Sequence, residues 1–342
     1  MKWIVTGGAG FIGCNTAKRL LVEGHQVVVF DNLSRTGGKS NLEWLQQFGK
    51  FEFVMGDVRN AADCVNLLRK HRDARALVHL AAQVAVTTSV TDPRHDFEVN
   101  ALGTFNVCEA VREVNRDIAL LYASTNKVYG EMEDLAVVEE GGHYRYAKLD
   151  GGVPESRQLD FHSPYGCSKG AADQYVIDFG RIYGIGTLSL RQSCIYGYRQ
   201  FGVEDQGWLA WFVINAVRGT PVTIYGDGKQ VRDILFVDDL VDCYLAAFER
   251  IDTIKGQAFN IGGGPRNVLS LLELIDMVGE KFGIKMKYGF SDWRPGDQKV
   301  FVSDISRAEA ALQWRPRIGK EEGVAKLVEW VRENAGLFAR AA

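Results

Sequence analysis

The sequence predicts an α/β fold, a doubly wound parallel sheet joined to a smaller, discontinuous α+β domain. Three observations predict it. A strand, a glycine turn and a helix open the chain; further strand and helix signals alternate through its first half; the alternation loosens after Gln192.

Residues 2–6 form a short, mostly apolar run with β-branched side chains, as expected of a buried parallel strand. Glycines follow at 7, 8, 10 and 13, and residues 16–22 read as a helix closed by Gly24. In that context the G-x-G-x-x-G spacing carries chemistry. Gly8 permits the tight turn, Gly10 lets the backbone approach a pyrophosphate, and Gly13 lets the helix pack on the strand. The helix N-terminus adds free N–H groups and a positive dipole end for the phosphates. A second strand, 26–30, ends at Asp31. A carboxylate there can accept hydrogen bonds from both adenosine ribose hydroxyls and repels a 2′-phosphate, which favours NAD over NADP. Arg35, close in sequence, weakens that preference.

Strand signals continue at 51–55, 76–80, 118–123 and 187–190, with helices at 100–114 and 168–183. Candidate residues cluster where strands end, at 31, 57, 81 and 125. Ligands in open α/β sheets bind outside those carboxyl ends. Residues 131–161, with Gly141-Gly142, Gly151-Gly152 and Pro154, read as a long irregular loop beside the site. Beyond Gln192, turns at 219–221 and 226–228 precede a helix at 238–249 and a returning strand at 258–261. Gly262-Gly263-Gly264-Pro265 breaks the chain again, and 269–282 and 305–312 look helical. The expected division is therefore 1–191 plus 234–262 for a dinucleotide-binding Rossmann domain and 192–233 plus 263–342 for the smaller one.

A chain of 342 residues with 46% hydrophobic content can bury a substantial core. The net charge of -3, with acids and bases interspersed, argues against a nucleic-acid surface and gives no reason to expect membrane binding. Met1-Lys2 leads straight into the first strand, so no signal peptide is expected, and no apolar run approaches transmembrane length. The six cysteines, at 14, 64, 108, 167, 194 and 243, show no C-x-x-C pairing. Neither a metal site nor a disulfide framework is expected, and most cysteines read as small core residues in a reducing cytoplasm.

Tyr165 and Lys169 stand at i and i+4, on one helix face. A phenol titrates near ~10, too high for a base at neutral pH, and an adjacent ammonium should lower it. The same lysine can hold nicotinamide ribose hydroxyls while the tyrosine takes a proton from a substrate alcohol. Thr125 ends a strand of the same sheet, where its hydroxyl can bond the substrate oxygen. Such a Tyr/Lys pair alone is common surface; with the glycine loop it reads as a hydride-transfer site.

With these motifs in hand, the sequence resembles the extended short-chain dehydrogenase/reductase family over nearly its whole length. The resemblance rests on 7–13, Asp57-Val58, Leu80-Ala81-Ala82-Gln83, Asn100 with Gly103-Thr104, Val128-Tyr129-Gly130 and 164–169. It implies NAD contacts from Gly7, Gly10, Phe11, Ile12 and Gly13, from Asp31, Asn32, Ser34 and Arg35, and from Asp57 and Val58 near the adenine. It implies further contacts from Leu80, Ala81, Ala82, Gln83, Asn100 and Ala123, and a catalytic trio of Thr125, Tyr165 and Lys169. Members act largely on nucleotide-diphosphate sugars, for which Thr125, Asn126, Lys127, Gln192, Ser193, Gln206, Arg232 and Arg294 are the implied contacts. An arginine fork suits a diphosphate; otherwise Arg232 and Arg294 read as surface salt bridges to Asp233 or Asp297.

Sugar 4,6-dehydratases of this family carry Thr-Asp-Glu before Val-Tyr-Gly. Here the segment is Thr125-Asn126-Lys127, which lacks the titrating carboxyls and disfavours elimination. The runs 124–130, 163–175, 191–197 and 206–208 are similar instead to the CDP-sugar 2-epimerases of the family. That similarity implies inversion at C2 of a CDP-sugar by transient oxidation and hydride return to the opposite face. Another sugar-nucleotide 4-epimerase or reductase, and a non-catalytic dinucleotide sensor, are the alternatives; retention of Thr125, Tyr165 and Lys169 argues against the sensor. The family also implies a homo-oligomer, dimer or tetramer, paired through the helices at 100–114 and 168–183.

Overall fold

A computed structural model describes residues 1–294 and 297–338. Pro295 and Gly296, inside the Arg294–Asp297 motif, lie outside the described residues. The chain opens with β1 (Lys2–Thr6), α1 (Phe11–Val22), β2 (Gln26–Asp31), α2 (Gly38–Leu45), β3 (Glu52–Met55), α3 (Ala61–Lys70) and β4 (Ala74–His79). Short helices α4 (Val86–Thr91) and α5 (Pro93–Phe97) and a π-helical turn at Glu98–Leu102 lead into α6 (Gly103–Val114) and β5 (Ala119–Thr125). A hairpin of β6 (Val137–Glu140) and β7 (His143–Tyr146) precedes the long α7 (Ser163–Tyr183), then β8 (Thr187–Gln192) and β9 (Cys194–Tyr196). Next come α8 (Trp208–Arg218), β10 (Val222–Tyr225), β11 (Val231–Phe236), α9 (Val237–Glu249), α10 (Ile251–Ile254) and β12 (Gln257–Ile261). The remainder holds β13 (Val268–Ser270), α11 (Leu271–Phe282), β14 (Tyr288–Ser291), β15 (Val300–Phe301), α12 (Ser306–Leu312) and α13 (Lys320–Glu333).

Seven strands make the main sheet, in the order β12-β8-β5-β4-β1-β2-β3, all parallel. The period of two along β1 sends Trp3 and Val5 to one layer, with Leu20, Tyr244 and Phe259, and Ile4 to the other, with Phe30, Leu77, Val111 and Val176. Both faces are covered, which explains why these strands read as continuous apolar runs. The order reverses at β1, between β2 and β4, so a crevice opens at the carboxyl ends there. Four further strands form a second sheet, in which β11 pairs β9 and β15 in parallel and β13 antiparallel. Its apolar layer joins Phe212, Val213, Phe236, Leu274, Leu327 and Trp330. Among the described residues no helix is long and apolar enough to cross a membrane.

Several local expectations change. The turn residue with positive φ is Gly7, at 65°, not Gly8. A Cβ on Gly8 would instead lie 2.8 Å from the Val5 carbonyl oxygen, so that glycine serves close packing. Helix α1 starts at Phe11, and Gly13 inside it lies so close to the loop that a Cβ would come 2.6 Å from Gly8 Cα. Residues 131–161 are not wholly irregular. Gly141 and Gly142, at φ 61° and 84°, form the two-residue turn of the β6–β7 hairpin, the geometry that positive φ at both positions favours. Segment 269–282 divides into β13 and α11, because Ser270 caps the helix in a reciprocal capping box with Glu273. Helices α8 and α13 lie beyond the expectations drawn from sequence.

Candidate active site

The crevice at the carboxyl ends is a cleft of about 440 Å³. The glycine loop forms its floor. Gly7 N–H donates to the Phe30 carbonyl at 2.8 Å, and a Gly7 Cβ would meet Ala81 N at 2.7 Å, so the loop is pressed between the ends of β2 and β4. No side chain caps α1 at Gly10, and Phe11, Ile12 and Gly13 border the cleft. The first amides of that helix are thus left to an anion, as a pyrophosphate requires.

Asp31 borders the cleft at the end of β2. Its carboxylate accepts from Ala9 N at 3.0 Å and from Leu33 N at 2.7 Å, tying the glycine loop to the strand end while each oxygen keeps a lone pair for a ribose hydroxyl. Burial raises its pKa, and the Leu33 and Ala9 amides oppose the rise. Asn32 donates to Asp57 at 3.0 Å, and the Arg59 guanidinium holds the Asp57 carboxyl well below the usual range. Ser34, Arg35, Val58, Leu80, Ala81, Ala82, Gln83 and Ala123 also border the cleft.

Asn100 does not border it. Buried behind the wall, it accepts from Gln83 N at 2.9 Å and donates to Gln83 O at 3.0 Å and Asp96 Oδ1 at 3.1 Å. It shapes the Gln83 backbone instead of facing a ligand, because the π-helical turn carries it inward.

Thr125 at the end of β5 faces Tyr165 and Lys169 from the first turns of α7, and all three border the cleft. The Thr125 hydroxyl, which accepts from Lys127 N at 3.2 Å, lies close enough to the Tyr165 phenol to favour its ionised form. Tyr165 is 8% exposed and Lys169 3%. Lys169 Nζ donates to the Ala123 carbonyl at 2.6 Å and sits 4.3 Å from the Tyr122 ring centroid. Burial pushes Lys169 down to about 7. The phenol is not lowered as the sequence suggested: burial pushes Tyr165 up to about 12, with Thr125 opposing and Asp96 adding to the rise. Lys169 gives its charge to the Ala123 carbonyl and the Tyr122 ring, which leaves Thr125 as the group supporting the phenolate.

Of the candidate substrate residues, Thr125, Gln192, Ser193 and Gln206 border the cleft; Asn126, Lys127, Arg232 and Arg294 do not. Gln192 donates to Tyr244 OH at 2.6 Å and Ser193 to Asp233 Oδ1 at 2.5 Å. Gln206 meets the Arg35 guanidinium across the mouth. Lys127 Nζ reaches Gln298 Oε1 at 3.5 Å, and burial pushes it down to about 8. Arg232 donates to Asp297 at 2.8 Å, as the salt-bridge alternative foresaw; Arg294 pairs with Asp205 at 3.0 Å and lies 3.9 Å from the Tyr225 ring centroid.

Sequence reasoning missed Arg199, Gln200 and Phe201, which border the cleft from the chain after β9. Arg199 donates to Asn41 Oδ1 and to Ser40 O, both at 2.8 Å. Its partners are about 160 residues away in sequence, so no local pattern announces it. Arg59 was legible in principle, two residues past Asp57 on the same turn.

The model of the NAD dependent epimerase/dehydratase family matches residues 3–262. The chain is 47% identical to the CDP-paratose 2-epimerase of Salmonella typhi over 335 residues, covering 96% of this chain and 99% of that protein. The crystal structure of a Thermotoga maritima UDP-glucose 4-epimerase with UDP-glucose superposes with a TM-score of 0.84 at 31% identity, covering 98% of this chain and 100% of that one. A Thermus thermophilus UDP-glucose 4-epimerase in complex with NAD gives 0.82 at 32%, with coverages of 98% and 100%. The uncapped helix, the Asp31 carboxylate and the buried Tyr165/Lys169 pair fit that dinucleotide. The chain belongs to the NAD-dependent epimerase/dehydratase family.

Proposed function

We propose that this enzyme inverts C2 of a CDP-linked sugar, CDP-paratose to CDP-tyvelose or CDP-glucose to CDP-mannose, with NAD. The observation that carries the reading is the full-length similarity to a CDP-paratose 2-epimerase. The sequence after β5 supports it, since Thr125-Asn126-Lys127 offers no carboxyl for elimination. In this reading residues 1–191 with 234–262 hold the dinucleotide, and 192–233 with 263–342 hold the nucleotide sugar.

The glycine loop and the first amides of α1 would hold the pyrophosphate, Asp31 the adenosine ribose, and Lys169 the nicotinamide ribose. When bound, NAD would supply a two-electron acceptor that ends the cycle oxidised. Tyr165 takes the C2 hydroxyl proton and returns it after the sugar has presented its other face. Thr125 bonds the same oxygen as alcohol and ketone. Its hydroxyl beside the phenol offsets part of the burial that raises Tyr165.

A panel of CDP-, UDP-, GDP- and dTDP-sugars, read by NMR for the altered carbon, tests the substrate. Tyr165→Phe should lower turnover by about 10²–10⁴-fold with the fold intact. Full activity in that variant, or substantial deuterium at C2 after reaction in deuterated water, overturns the mechanism. The chain also pairs with a second copy in this reading, through α6 and α7. Leu102 just before α6, and Tyr175, Ile182 and Tyr183 on α7, expose apolar surface; Ile182 is 66% exposed.

A further inference from the structure

Asp173 continues the line that Tyr165 and Lys169 begin, at the next turn on the same face of α7. It is fully buried, yet its carboxylate collects donors from two strands. Ser124 Oγ of β5 donates to it at 2.8 Å, Arg191 of β8 donates through Nε at 3.2 Å and Nη2 at 2.8 Å, and Ser189 Oγ donates as well. Ser124 and Arg191 are cross-strand partners, one register step before Thr125 and Gln192 at the cleft. The peptide joining Ala123 to Ser124 therefore has two ties to α7. Its carbonyl holds Lys169 Nζ at 2.6 Å, and the Ser124 side chain is held by Asp173.

We infer that Asp173, locked by Arg191, is a positioning residue for Lys169: it fixes the peptide that holds the amine and faces that amine with a buried carboxylate. The inference rests on the catalytic assignment of Lys169. The groups facing Lys169 are Asp96 of α5, Tyr165 and Asp173 of its own helix, Tyr122 of β5 and His79 of β4. His79 is neutral, pushed down to about 3 by burial and bonded to Thr6 and Thr104. Asp96 is engaged by Ser168 Oγ at 2.5 Å and by Asn100, and burial raises its pKa. Burial works against the Asp173 carboxylate, but Arg191, Ser189 and Ser124 together outweigh it and its pKa falls. Both carboxylates favour the charged lysine, Asp173 the more strongly, and Asp173 is the one tied to the peptide that holds the amine.

The test compares Asp173→Asn, Asp173→Glu and the double variant Asp173→Asn/Arg191→Gln, in which neutral hydrogen-bonding groups replace the pair so that no buried charge is orphaned. Lys169 is titrated by NMR in NAD-free protein labelled with [ε-¹³C]lysine, its resonance identified by loss in Lys169→Arg. In the double variant it should titrate about one pH unit lower. In the holoenzyme the alkaline limb of kcat should move down with it, kcat falling about tenfold while KM changes little, and Asp173→Glu should restore both. An unmoved Lys169 titration in the folded double variant overturns the inference, and so does an equal shift in Asp173→Glu. Loss of the functional reading is separate: it shows as full activity in Tyr165→Phe, whatever the titration does.

Discussion

Replacing Lys169 by methionine should make the NAD-free protein more stable while abolishing its activity. The ammonium is 3% exposed, and burial brings the lysine from its ordinary 10.5 to about 7. The unfolded chain keeps this proton up to about 10.5, so between pH 7 and 10.5 it binds more protons than the folded one, and wild-type stability climbs through that window. Below pH 7 the fold carries the whole cost of the charge. At 1.36 kcal/mol per pH unit the interval corresponds to about 5 kcal/mol. Methionine removes that cost, fills a similar volume and forfeits the bond to the Ala123 carbonyl, about 1–2 kcal/mol. The net gain is about 3 kcal/mol at pH 7. For 342 residues, with an unfolding entropy of roughly 2 cal/mol/K per residue, Tm rises by about 4 °C. Parallel thermal melts of the two proteins from pH 6 to 10 read the difference directly, since other titrating groups cancel. The advantage should be full near pH 6 and vanish by about pH 10. A variant less stable at pH 7, or a difference that ignores pH, refutes the account of Lys169 as a buried charge carried for function.

Gly13→Ala places a methyl against Gly8 Cα and the Gly7 carbonyl, both backbone; α1 must retreat, and we expect at least tenfold weaker NAD binding by calorimetry and a loss of about 1–3 kcal/mol in denaturant unfolding. Asp31→Ser removes the carboxylate that bonds Ala9 and Leu33; the ratio of NADP to NAD affinity should rise by at least about tenfold in competition binding, mainly through lost NAD affinity. Ile182→Asp puts a charge on the exposed face of α7; light scattering should show a smaller assembly with the melting temperature of the isolated chain little changed.

Local patterns made the dinucleotide half legible. β1, the glycine loop and Asp31 are neighbours in sequence, and each has one dominant physical reason to be there. Tyr165 and Lys169 were visible for the same reason, since one helical turn fixes their spacing. The hairpin at 137–146 shows the limit of this reading. Gly141-Gly142 was legible as a break, but whether a break is a loop or a hairpin turn depends on the strands beside it. Here those strands dock on other parts of the chain, Tyr144 OH donating to Asp227 at 2.6 Å and Tyr146 OH to the Val300 carbonyl at 2.9 Å.

The sequence by itself determined the strand and helix alternation, the anion-ready helix end at Gly10–Gly13 and the placing of Tyr165 and Lys169 on one helix face, because these depend on spacing of a few residues. Only the tertiary structure decided where the charges act. It turned Asn100 inward, paired Arg232 with Asp297, brought Arg199 to α2 across about 160 residues, and raised Tyr165 by burial where its lysine neighbour alone would have lowered it. Desolvation and long-range pairing are properties of packed surroundings, and no run of neighbouring residues encodes them.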